Sequence, residues 1–145
     1  MIGFFEHQYV KYKKQHLKNL VALAYVDGEL HPAERSLLYI VGEKYGLKGW
    51  QIAKIIENQA PVELDKPENP NDRLDQIYDL VRMMLADNVL AKSEMALCQH
   101  VTVSFGFKKE LVKTILLLIG RGKLSLPEWD LFKKQAIANY QANAA

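Results

Sequence analysis

Apolar residues recur at helical spacing along almost the whole chain, and segments containing glycine or proline interrupt them. No segment shows the period-two alternation of a half-buried strand. The pattern therefore predicts an all-α fold of about seven helices, marked by the apolar positions within 17–24, 37–45, 52–56, 74–85, 97–105, 112–119 and 129–140. Residues 60–72 hold three prolines and four acidic residues, and we interpret them as a linker. Ser125-Leu126-Pro127-Glu128 predicts a capping box at the start of the seventh helix.

The sequence repeats itself at an offset of 60 residues without a gap. Matches between apolar residues alone could arise by chance, because the helical periodicity of the two segments can come into phase at this offset. Turn residues and acidic residues also match, and periodicity does not explain those matches. The informative matches are Asp27 with Asp87, Glu34 with Glu94, and Gly46 with Gly106. We therefore expect a single domain over residues 1–145, built from two pseudo-symmetric three-helix units at about 17–59 and 77–119. The seventh helix is expected to close the core.

Composition narrows the class of protein. The 145 residues are 49% hydrophobic and carry a net charge of +2, which suits one compact domain and gives no reason to expect nucleic acid as a partner. The single cysteine, Cys98, lies in an apolar helical pattern and is predicted to be a core residue. No stretch approaches the roughly 18 apolar residues of a spanning helix. We expect a cytoplasmic protein with no membrane partner; a protein partner and the oligomeric state are left open.

Catalytic motifs are not evident in the sequence. The four histidines are scattered, and they form neither the Glu-x-x-His pair of a di-iron bundle nor a zinc-binding His-Glu-x-x-His helix. No local signature pairs a nucleophile with a base. We therefore expect a non-enzymatic protein.

The repeated acidic motif is the strongest functional signal. Asp27 and Asp87 each lie at a predicted helix end, where the helix dipole disfavours negative charge, while Glu34 and Glu94 fall near the third position of the following helices. In one interpretation each aspartate accepts hydrogen bonds from the free amides of the next helix. In the other, the four carboxylates meet at the pseudo-axis and bind calcium, magnesium or manganese. An ordinary EF-hand loop is excluded, because Leu23 would occupy its first ligand position.

Two segments, LVALAYVDGELHPAERSLLYIVGEKYGL and, more faintly, LVRMMLADNVLAKSEMALCQHVTVSFGF, resemble the TerB family of tellurite-resistance-type proteins. The resemblance covers roughly residues 15–140. It implies two pseudo-symmetric helical halves and an acidic cluster proposed to bind a divalent metal, here Asp27, Glu34, Asp87 and Glu94. It also implies an association with stress response and tellurite-resistance operons. The chain departs from the family pattern at Asn88-Val89, where members often carry glycine and an acidic residue.

The leading hypothesis is therefore a TerB-like stress-response module with an acidic site for a divalent cation. The alternative is a helical interaction or scaffold domain whose acidic residues only cap helices and bind no metal.

Overall fold

A computed structural model describes residues 2–26, 28–63, 66–86, 92–120 and 124–141, with residues 2–12 described by backbone alone. These residues form seven α-helices: α1 Ile2–Ala24, α2 Pro32–Lys44, α3 Gly49–Glu57, α4 Pro70–Leu85, α5 Lys92–Ser104, α6 Leu111–Gly120 and α7 Leu126–Asn139. The described residues contain no strand, and their one β-bridge joins Phe107 to Gln141. The predicted all-α fold of about seven helices is confirmed.

Local capping chemistry explains where α4 begins. The Asn69 side chain accepts a hydrogen bond from the Asn71 amide at 2.8 Å, and Pro70 follows in the first helical position, where proline lacks only an amide that would have no helical partner. The predicted linker was therefore too long at its end, because residues 70–72 belong to α4. The prolines of this segment were all interpreted as loop residues, although Pro70 is the first residue of α4.

The predicted capping box of α7 is confirmed. The Ser125 hydroxyl accepts from the Glu128 amide at 3.3 Å, and a Glu128 carboxylate oxygen accepts from the Ser125 amide at the same distance. The reciprocal bonds satisfy two amides at the helix start, so α7 begins where the sequence motif places it.

The helices α2 and α5 end in the same way, 60 residues apart. Gly46 and Gly106 have φ values of 84° and 90°, a left-handed conformation that glycine adopts without steric cost. The amide three residues after the last residue of each helix donates back to a carbonyl five residues earlier, Leu47 to Gly42 at 2.9 Å and Phe107 to Thr102 at 3.1 Å. The turn residues of the repeat thus build matching helix ends.

The core lies between α1 and α4, which pack against each other. Helix α1 also packs on α2 and α3, while α4 packs on α5 and α6. Fully buried leucines and methionines fill the shared interface, among them Leu20 and Leu23 from α1 and Leu80 and Met83 from α4. Cys98 is 0% exposed, which confirms its prediction as a core residue. The two pseudo-symmetric units, and the superposition of 17–59 on 77–119, stay a prediction.

Helix α7 packs against α4 through one polar anchor and a group of aromatic rings. The Trp129 indole nitrogen donates to Asp75 at 2.8 Å, and the Lys133 ammonium donates to the same carboxylate oxygen at 3.0 Å. Tyr78 lies against the Trp129 ring, with centroids 4.6 Å apart. The charged anchor fixes the register of α7, while the rings cover the core beneath it.

Candidate functional site: buried carboxylates at two helix starts

The turn after α1 adopts a left-handed conformation at Gly28. Gly28 has a φ of 94°, and its amide donates to the Tyr25 carbonyl at 2.9 Å. An added Cβ at Gly28 would meet no atom within 4 Å, so the position favours glycine through backbone conformation rather than through crowding. The adjacent Asp27 lies outside the described residues.

Glu34 is the third residue of α2 and is 1% exposed. One of its carboxylate oxygens accepts a hydrogen bond from the His31 backbone amide at 3.0 Å. This is the acidic half of a capping box, and a negative charge here is also favoured by the helix dipole. The predicted placement near the third helical position is therefore confirmed, and the buried carboxylate contributes to starting α2.

Glu94 holds the corresponding place in α5, 60 residues later. It is the third residue of α5 and is also 1% exposed. Burial, together with the charge of Glu94, raises the pKa of the Cys98 thiol to about 12. Because residues four apart share one helix face, the carboxylate and the thiol lie on the core side of α5.

Half of the proposed acidic set can thus be placed. Glu34 and Glu94 occupy the same position in two helices, while Asp87, like Asp27, lies outside the described residues. Within the described ranges, no three His, Cys, Asp or Glu side chains come close enough to hold a metal ion. The donor types suit the implied group, because carboxylate oxygens are the ligands that calcium, magnesium and manganese prefer. The joint arrangement of all four carboxylates stays a prediction.

A third buried carboxylate, Asp79 on α4, was not predicted. It is 0% exposed, and one of its oxygens accepts from the Tyr45 hydroxyl at 2.9 Å and lies 3.0 Å from His16 Nε2. Its other oxygen accepts no hydrogen bond from the described residues and faces the Lys44 ammonium at 3.6 Å. Asp79 therefore ties α4 to α1 and to the end of α2.

The surroundings of Asp79 keep it ionised. Burial by itself would raise the pKa of its carboxyl, but the hydrogen bond and charge of His16, the charge of Lys44 and the Tyr45 hydrogen bond together lower that pKa. Burial raises the pKa of Tyr45, and the Asp79 charge raises it further, so the hydroxyl stays a neutral donor. Since the carboxylate is enclosed by its partners, we assign the cluster a role in holding helices together rather than in contacting a substrate.

Polar residues placed within the apolar faces of α1 and α4 could have indicated this cluster from the sequence. His16 and Asn19 on α1 lie one turn before the buried Leu20 and Leu23, and Gln76 and Asp79 repeat those positions on α4. All four polar residues are buried. A polar side chain inside an apolar stripe must find a partner, so its presence is a signal of a buried network. The sequence does not identify that partner, because His16 and Asp79 are 63 residues apart.

Asn19, the repeat equivalent of Asp79, has a different task. Its amide nitrogen donates to the Glu63 carbonyl at 2.9 Å, and its oxygen accepts from the Glu63 amide at 3.2 Å. This pair of bonds holds the linker between α3 and α4 against α1. The repeat-related positions 19 and 79 therefore both carry a buried polar side chain, but Asn19 binds the linker and Asp79 binds side chains near α1 and α2.

Comparison of the chain with protein-family models, with curated proteins and with solved structures finds no match. Among the helices of the described chain, none combines the length and the apolar character needed to cross a membrane.

Proposed function

We propose that this chain is a non-enzymatic, TerB-like stress-response module that binds a divalent cation through Asp27, Glu34, Asp87 and Glu94. The observation that carries the proposal is the matched burial of Glu34 and Glu94, each 1% exposed in the first turn of its helix. A carboxylate removed from water is costly unless donors or a cation compensate its charge. Two such carboxylates at repeat-related positions favour a shared ionic function.

The cation would act on the folded state of the protein. Carboxylates that approach one another repel, and each then resists ionisation. A calcium, magnesium or manganese ion would remove that repulsion and hold the residues that precede α2 and α5 against the first turns of those two helices. Since the ion would bind only the folded chain, it would raise stability by mass action. The proposed response to stress is therefore a cation-dependent stiffening of the chain at the starts of α2 and α5.

Calorimetric melting after chelator treatment tests this proposal. At a cation concentration about one hundredfold above Kd, binding contributes about 2.7 kcal/mol, which raises Tm by on the order of 5–10 °C for a chain of this size. The double variant Asp27→Asn with Glu34→Gln should lose that rise. Glu34→Gln retains an oxygen that can accept from the His31 amide, so the change removes charge more than shape.

Glu128→Gln is the matched control for this experiment. Glu128 is also the third residue of its helix and also accepts from its N-cap amide, but it is exposed. Asp27 and Asp87 lie seven residues before Glu34 and Glu94, but the residue seven positions before Glu128 is Arg121. This variant should keep the full response to cations. A wild-type Tm that does not move at millimolar calcium, magnesium or manganese would refute cation binding.

A second function is favoured by the hydrogen bond from the His31 amide to Glu34. In this alternative the carboxylates only start helices, and the chain is a helical interaction or scaffold domain. Removing the charge of Glu34 would then cost about 1 kcal/mol, as expected for a weakened cap, with or without cations. The melting experiment separates the two functions, because only the first predicts a cation-dependent term.

A further inference from the structure

An open groove runs between α2 and α6, across the C-terminal part of α4. Its volume is about 350 Å³, and most of its lining is apolar, including Leu37, Ile40, Leu85 and Ile119. Ile40 is 55% exposed, whereas Leu37 beside it is buried, so the groove presents apolar surface directly above the core. Burying exposed apolar area of this kind is a driving force for association.

Among the described residues that line this groove, Arg82 is the charged one. Its guanidinium carbon lies 5.7 Å from the centroid of the Tyr78 ring, a cation–π contact that supports the group from one face. Within the part of the chain that the structure describes, no carboxylate forms an ion pair with Arg82. The planar N–H donors of a stacked guanidinium are suited to bidentate contact with a carboxylate.

We propose that this groove binds an amphipathic helix of a partner protein, which presents apolar side chains at one-turn spacing and one carboxylate to Arg82. The apolar walls fit the anchors of such a helix, and the arginine supplies the charge complementarity that fixes its register. A second copy of this chain fits less well. The exposed acidic residues of α7 near its exposed Leu131 already have partners in the chain: Glu128 accepts from the Ser125 cap, and Asp130 pairs with Lys133 at 3.6 Å. The inference does not depend on cation binding.

A peptide library tests this interface. The probes are helix-biased peptides of on the order of 15 residues. Their apolar anchors vary, and one central position carries Glu, Gln or Lys. Selection on the wild-type protein should retain Glu, and fluorescence anisotropy should show that Arg82→Gln weakens the selected peptide by about tenfold or more. Arg82→Glu should prefer the Lys peptide over the Glu peptide. This reversal depends on a direct contact and would not follow from loss of folding.

A pair of surface variants locates the binding face. Ile40→Asp should abolish peptide binding, while Leu131→Asp should not, since Leu131 is 59% exposed on a different helix. Failure to select any peptide, equal retention of Glu, Gln and Lys, or equal loss in the two aspartate variants would overturn the proposal. So would sedimentation showing a dimer that Ile40→Asp dissolves, because a second copy would then occupy the groove. Peptide affinities measured with chelator and with added cation should agree, so peptide binding can succeed or fail independently of cation binding.

Discussion

The hydroxyl of Tyr45 offers the sharpest test of the buried Asp79 cluster. Tyr45→Phe removes one hydrogen bond, 2.9 Å long, and leaves the ring against His16 and Lys44. The replacement is sterically reasonable, because the repeat places Phe105 at the corresponding helix end, where it is buried. The variant therefore isolates a polar contact rather than a change in packing.

The expected loss follows from the charge on the acceptor. A hydrogen bond to an ionised group contributes about 1.5–3 kcal/mol, against about 0.5–1.5 kcal/mol for a neutral one. Tyr45 is only half-buried, so water can replace part of the contact, and the lower end of the first range applies. We expect Tyr45→Phe to lower the free energy of unfolding by about 1.5 kcal/mol. In an Asp79→Asn background the same change should cost about 1 kcal/mol less.

Urea unfolding followed by circular dichroism measures both values. With a slope of about 2 kcal/mol per molar urea, a loss of about 1.5 kcal/mol shifts the midpoint by about 0.7 M. Tyr39→Phe, which alters a half-buried tyrosine within α2, is the control and should shift the midpoint much less. An equal cost of Tyr45→Phe in the wild-type and Asp79→Asn backgrounds would refute the charge-assisted contact.

The pH dependence has a definite sign. Folding lowers the pKa of Asp79, so its stabilisation is complete above the ordinary aspartate pKa of about 3.9 and is lost as pH falls through the lower pKa of the folded state. The cost of Tyr45→Phe should therefore stay constant from neutral pH down to about pH 5. It should shrink only in more acidic solution, as Asp79 becomes protonated. A cost that disappeared between pH 7 and pH 5 would contradict this assignment.

Two further substitutions test backbone and packing. Gly28→Val should lower the free energy of unfolding by more than about 1 kcal/mol, because a β-branched residue is strained at a φ of 94°. Thermal melting measures this loss. A variant with the Tm of wild type would contradict the left-handed conformation at Gly28. Gly42→Ala would place a Cβ 2.6 Å from Ile52 Cδ1, and overpacking of about 1–3 kcal/mol should exceed the gain of about 1 kcal/mol in helix propensity. Urea unfolding should show that Gly42→Ala costs less in an Ile52→Ala background, where both Cγ1 and Cδ1 are removed. A Gly42→Ala protein more stable than wild type would contradict the packing.

Much of the fold could be predicted because its signals are local. The periodicity of apolar residues identifies each helix, the left-handed turn at Gly28 follows from its place after a helix, and Ser125 with Glu128 defines the start of α7. The third-position placement of Glu34 is also a local property, since it depends only on where α2 begins.

The parts that sequence reasoning missed depend on distant contacts. The linker was extended through residue 72 because prolines were counted as loop residues, although Pro70 after Asn69 begins a helix. Asp79 was overlooked because its partners lie on α1 and α2, and no pattern within α4 indicates which histidine or tyrosine will face it. The groove at Arg82 likewise exists only once α2, α4 and α6 are packed together.

The most direct test of the central claim is the number of cations bound per chain. The chelator-treated protein is dialysed to equilibrium against manganese, and the bound metal is counted by mass spectrometry for wild type, for Glu34→Gln with Glu94→Gln, and for Glu128→Gln. The proposed function predicts bound manganese in wild type and in Glu128→Gln, and its loss in the double variant. A wild-type chain that retains no manganese, or a double variant that binds as much as wild type, would contradict the proposal that these buried carboxylates form a cation site.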